Sequence, residues 1–84
     1  LGTTLGFQTS EILKSIIIYP NPTSSKVYIV NEFEIVRFYD IFGRELLQSK
    51  SNELDLSDLQ NNIYMITLED NNGDIIAAGK IIKN

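Results

Sequence analysis

Ile63-Tyr64-Met65-Ile66-Thr67-Leu68-Glu69 leads into Asp70-Asn71-Asn72-Gly73-Asp74 and out through Ile75-Ile76-Ala77-Ala78-Gly79-Lys80-Ile81-Ile82-Lys83. Tyr64, Ile66 and Leu68 alternate with Met65, Thr67 and Glu69, the period of a strand with one face on a core. The segment between is turn chemistry, and Asn72-Gly73 suits a type I′ hairpin turn, whose central residues take positive φ. An antiparallel hairpin is expected, with strands over Ile63–Glu69 and Ile75–Lys83. The outgoing strand is apolar on both faces. Two readings stand: a buried central strand, or an edge open to strand addition by a partner. In the second, Lys80 and Lys83 guard the edge against aggregation.

The same alternation recurs upstream. Ser57-Asp58-Leu59-Gln60-Asn61-Asn62 is too polar for a strand and too short for a stable helix, so it reads as a crossing turn between sheets. Tyr64 just after it has the placement of a tyrosine corner, and its hydroxyl is expected to bond a main-chain group near residues 57–60. Glu34–Asp40 and Arg44–Ser49 flank Asp40-Ile41-Phe42-Gly43, with Asp first and Gly fourth as a type I turn prefers. Gly43 suits positive φ as a bulge residue. Leu54 and Leu56 mark a further strand. Lys26–Val30 sets Val27 and Ile29 against Tyr28 and Val30, and Ser15–Tyr19 is the first strand. Pro20-Asn21-Pro22 ends it, with a type I turn expected from Asn21 to Ser24. Residues 1–14 show no sustained period and read as a linker. About seven short strands over residues 15–84 make an all-β, small antiparallel β-sandwich.

Composition narrows the function. At 84 residues the chain is one domain. Its 43% hydrophobic content is too high for a disordered tail. With no His there is no catalytic triad and no imidazole ligand; with no Cys there is no thiol nucleophile, thiolate metal site or disulfide. The cysteine-free sequence leaves the redox compartment unread. A net charge of −4 argues against nucleic acid as a main partner. No apolar run approaches the ~20 residues of a membrane helix. The start at Leu1, without Met or a basic-then-apolar leader, is expected of a fragment of a longer precursor.

Other constellations have plainer explanations. Asp70–Asp74 places its Gly too early for an EF-hand loop, and strands flank it. Asp40, Asp55 and Asp58 could pair as catalytic carboxylates only in a cleft, which a small sandwich does not offer. Tyr19, Tyr28, Tyr39 and the phenylalanines fit a sugar platform less well than cross-strand packing. No cofactor, metal site or enzymatic activity is expected.

Several motifs then come in order. Tyr19-Pro20-Asn21-Pro22 after an isoleucine strand resembles the opening of the type IX (Por) secretion system C-terminal sorting domains. Phe38-Tyr39-Asp40 with Gly43-Arg44 resembles the family's central hairpin, and Leu54-Asp55-Leu56-Ser57-Asp58-Leu59 its crossing segment. Tyr64 matches the tyrosine of its Gly-x-Tyr, with Asn62 standing where the family usually has Gly. Lys80-Ile81-Ile82-Lys83 matches its basic and apolar end, and Gly73 closes the last hairpin. The resemblance covers about residues 15–84. It implies an Ig-like sandwich that has no chemistry of its own and directs an upstream cargo across the outer membrane. The implied partners are the translocon, its shuttle and a sortase-like peptidase that cuts near the start of the domain. The cargo passes through the periplasm and ends secreted or on the cell surface. The machinery is expected to read Gly79, Lys80, Ile81, Ile82, Lys83 and Asn84, by charge and by strand addition. Edges at Ser15–Tyr19 and Ile75–Ile82 are the expected places for a dimer contact. The alternative function is an Ig-like or fibronectin-like binding module of an adhesin or a polysaccharide-degrading enzyme.

Overall fold

Strand alternation sets two apolar faces against each other. The computed structural model describes residues 14–84, so the expected linker, Lys14 apart, lies outside the described residues. Eight strands follow: β1 Lys14–Ser15, β2 Ile18–Tyr19, β3 Lys26–Ile29, β4 Ile35–Tyr39, β5 Glu45–Ser49, β6 Glu53–Asp55, β7 Asn62–Glu69 and β8 Ile75–Lys83. No helix forms among the described residues. One sheet has the order β1-β8-β7-β4-β5, the other β2-β3-β6.

The inner faces meet in one core. Val27, Ile29 and Leu54 come from the three-stranded sheet; Val36, Phe38, Tyr64, Ile66, Leu68, Ala77 and Ile81 come from the five-stranded sheet. Leu56, between β6 and β7, is fully buried. Phe38 and Tyr64 stack with ring centroids 5.3 Å apart. At about 25 cal/mol per Å² of apolar surface, burial of such side chains is the main stabilising term. The all-β sandwich expected from the sequence is the observed fold, with an Ig-like two-sheet arrangement.

Three details depart from expectation. The first strand is two strands, because the chain leaves the five-stranded sheet after Ser15 and joins the other at Ile18. β1 pairs in parallel with β8, Lys14 opposite Ala77 and Ser15 opposite Ala78, so the sandwich is not wholly antiparallel. Ile16, in the crossing, packs over Gly79: a β-carbon there would sit 3.6 Å from Ile16 Cβ. Second, no hydrogen-bonded turn forms over Asn21–Ser24. Thr23 instead bridges in parallel to Lys83, its N–H donating to Ile82 O and its C=O accepting from Asn84 N–H, each at 2.8 Å. Third, the β7–β8 turn is not type I′. Gly73 N–H closes onto Asp70 O at 3.0 Å, which puts Gly73 fourth, with φ of +85°.

That third turn repeats the β4–β5 turn. Gly43 N–H closes onto Asp40 O at 3.0 Å, and Gly43 has φ of +84°. In each turn the Asp Oδ1 accepts two backbone N–H groups: Phe42 and Arg44 for Asp40, Asn72 and Asp74 for Asp70. A carboxylate that takes both orphan donors fixes the loop locally, and glycine takes the left-handed position at low cost.

Candidate functional site

β8 carries the residues that the sequence nominates for recognition, and the structure divides them into two sets. β8 lies between β7, which pairs with it along its length, and the short β1. It is interior in the sheet order, but its second neighbour covers only Ala77 and Ala78. Ile81 is fully buried, and Lys83 is 7% exposed. Gly79 sits opposite the buried Ile66, on the inner face. Lys80 and Ile82 face outward, opposite Met65 and Ile63.

Lys83 points inward, and its ammonium finds partners there. Nζ donates to Leu59 O at 3.0 Å and to Asn61 Oδ1 at 3.4 Å. A buried cation requires such acceptors. The same crossing turn is held from its other side by Tyr64, whose hydroxyl donates to Gln60 O at 2.6 Å. The tyrosine corner expected from the sequence is therefore present. Leu59 N–H donates to Leu56 O at 3.0 Å within this turn, and Leu59 packs half-buried against the core. Asn62 opens β7 opposite Lys83 and accepts Ile63 N–H on its own side-chain oxygen.

The outer backbone edge of β8 is closed by the Tyr19-Pro20-Asn21-Pro22 region. Asn21 Nδ2 donates to Lys80 O at 3.1 Å, and Asn21 Oδ1 accepts Ile82 N–H at 3.0 Å. The carboxamide thus takes the place of a neighbouring peptide group. With β1 at Ala77–Ala78 and Thr23 at Ile82 and Asn84, the edge is covered from Ala77 to Asn84. The strand addition expected at this edge meets Lys80 C=O, Ile82 N–H, Ile82 C=O and Asn84 N–H already bonded to Asn21 and Thr23 in the folded state. Asn31 repeats the device on the sheet crossing: Nδ2 donates to Ser15 O at 3.0 Å, and Oδ1 accepts Ile17 N–H at 2.7 Å. Neither role was readable in the sequence. Asn21 fitted a turn there and Asn31 carried no signal, because each partner lies far along the chain.

The charged groups serve local structure. Asp40 is pulled upward by burial, but hydrogen bonds from Arg44 N–H, the Arg44 guanidinium and Phe42 N–H outweigh this and hold it below its ordinary value. Ser57 hydroxyl and N–H lower Asp55. The hydrogen bond and attraction to Glu53 raise Lys26. Arg37 is raised by hydrogen bonds to Glu69, at 2.6 Å, and Glu45, at 3.0 Å. No group of His, Cys, Asp or Glu among the described residues is arranged to hold a metal ion. The described residues form no helix long and apolar enough to cross a membrane. The Tyr19 and Tyr28 rings lie 5.7 Å apart on the outer face of the three-stranded sheet.

Comparison with protein families gives a match. A family model described as "Secretion system C-terminal sorting domain" covers residues 17–84. Neither the curated proteins nor the solved structures yield a match.

Proposed function

The chain belongs to the secretion system C-terminal sorting domain family of type IX secretion, and on that premise we propose that it carries an upstream cargo across the outer membrane. The domain is a sorting signal, from a family that is not an enzyme family. Such a cargo is secreted or displayed at the cell surface. The machinery that receives the folded sandwich is the outer-membrane translocon with its shuttle, reached from the periplasm. A sortase-like peptidase then cuts on the N-terminal side, within residues 1–14 or upstream of them. Residues 15–84 are the sorting domain, and residues 1–14 join it to the cargo.

The observation that carries this reading is the match over residues 17–84. The fold supports it: the motif at Tyr19–Pro22 and the strand ending at Lys83 are far apart in sequence, yet Asn21 binds Lys80 and Ile82 directly. The two ends of the matched region form one structural unit. The test is a periplasmic fluorescent reporter fused to residues 1–84, in a bacterium with a type IX system, beside the same reporter fused to an unrelated β-sandwich. Signal in the medium or on the surface for the first fusion alone is the expected result. Retention of both in the periplasm overturns the proposal.

A further inference from the structure

The final strand offers a partner very little except one face. Ile81, Lys83 and Gly79 look inward, and Asn21, Thr23 and β1 occupy the outer backbone edge. What remains of residues 79–83 is Lys80 and Ile82, both on the outer face of the five-stranded sheet. The ladder sets Ile82 opposite Ile63 and Lys80 opposite Met65, with Tyr39 opposite Met65 on its other side. Ile63 is 41% exposed, Met65 44% and Ile82 37%, so three large apolar side chains sit half-exposed around one lysine. No carboxylate among the described residues lies within ion-pair distance of Lys80. The other apolar surface, Ile17, Tyr19, Tyr28 and Val30 on the three-stranded sheet, differs: Lys26 beside it is already paired with Glu53 at 3.2 Å.

We propose that Ile63, Met65, Lys80 and Ile82 form the surface through which this domain is read. The occupant is a protein partner that presents an apolar patch bearing a carboxylate opposite Lys80. The charge argument favours this occupant, because Lys80 is an exposed cation with no ion-pair partner among the described residues, in a chain of net charge −4, and is complementary to an acidic group. A methionine at the centre suits such a contact, since its flexible thioether adapts to an opposing surface. The inference rests on the sorting-domain reading and names the face by which the export machinery engages it; that face is distinct from the strand edge.

The test uses the reporter fused to residues 1–84 with Met65→Glu, Ile82→Ser or Lys80→Glu. Tyr28→Ser and Val30→Glu, on the opposite outer face, are the comparison. Thermal unfolding of each purified 84-residue chain establishes which variants fold. Lys80→Glu changes one exposed side chain and carries the test if Met65→Glu unfolds. The expected result is a fall in exported fraction of about tenfold or more for the first set, the scale of a lost interface anchor, with the second set unchanged. Export of the first set at the unsubstituted level overturns the proposal. Equal loss on both faces overturns it too. A concentration-dependent dimer of the isolated chain that Met65→Glu dissolves assigns the face to a second copy and likewise overturns it. Failure of the unsubstituted fusion to leave the periplasm is a separate outcome: it overturns the sorting-domain reading, and this inference with it.

Discussion

The Asp40 and Asp70 turns and the Asn21 and Asn31 contacts solve one problem at opposite range. In each, a side-chain oxygen accepts a backbone N–H that the ladder leaves over. The aspartates reach residues two and four ahead. Asn31 reaches back 14 and 16 residues, and Asn21 reaches forward 59 and 61. The turns only close hairpins. The asparagines decide which segments lie beside which: Asn31 fixes the crossing from β1 to β2, and Asn21 fixes the edge of β8. The final strand is thus not a loose tail attached to a sandwich. The motif near its beginning closes it.

The largest expected effect comes from breaking the long-range side. Asn21→Leu removes two hydrogen bonds and leaves Lys80 C=O and Ile82 N–H without their partner. Denaturant unfolding should show a loss of about 1–3 kcal/mol, the net contribution of two exposed hydrogen bonds whose groups then turn to water. Amide exchange should quicken at Ile82 and leave the β4–β5 ladder unchanged. Uniform exchange across the domain would mean that Asn21 does not act on that edge.

Next come the turn glycines. Gly43→Ala and Gly73→Ala each force a side chain into the left-handed region, at about 1–2 kcal/mol. The two losses should agree closely, because the φ angles are +84° and +85° and nothing lies within 4 Å of either added β-carbon. Unequal losses by calorimetry would show that the two turns are not equivalent.

A smaller loss, about 1 kcal/mol, is expected for Tyr64→Phe, which strips the hydroxyl from Gln60 O. Thermal unfolding reads it, and no change in midpoint would mean that water replaces the contact at no cost.

The smallest effect is a pH dependence at Asp40. Asp40 is held below its ordinary value in the fold. Its contribution is therefore fully present above the unfolded value of about 4 and is lost as pH falls through the lower folded value. The stability gap between the native chain and Asp40→Asn should narrow as pH drops below about 4. Arg44 Nε stands 2.7 Å from Asp40 Oδ2, whereas Asp74 holds the matching place in the other turn. A gap that stays constant down to acid pH would contradict the assignment.

The same contrast explains how much was legible. Strand faces followed from alternation: Val27 and Ile29, Val36 and Phe38, and Tyr64, Ile66 and Leu68 all point inward as their spacing implies. The Asp40–Gly43 turn and the Tyr64 corner were legible because their partners lie within four residues. The Asp70 turn was located correctly but typed wrongly, since Asn-Gly favours type I′ until the aspartate captures both N–H groups. The split of the first strand was not legible, because Ser15–Tyr19 reads as one apolar run whichever sheet takes each end. In the candidate site the family motifs were visible, but the inward turn of Lys83 was not. A lysine in an alternating strand shows no preference until the crossing turn supplies Leu59 O and Asn61 Oδ1 as acceptors.

In the proposed function this folded domain is an address read by the type IX outer-membrane machinery. It is tested most directly by the location of the reporter fused to residues 1–84, in otherwise identical cells with and without that translocon. Surface or medium signal is expected only in cells that have the translocon, and periplasmic retention in those that lack it. The same distribution in both strains would contradict it.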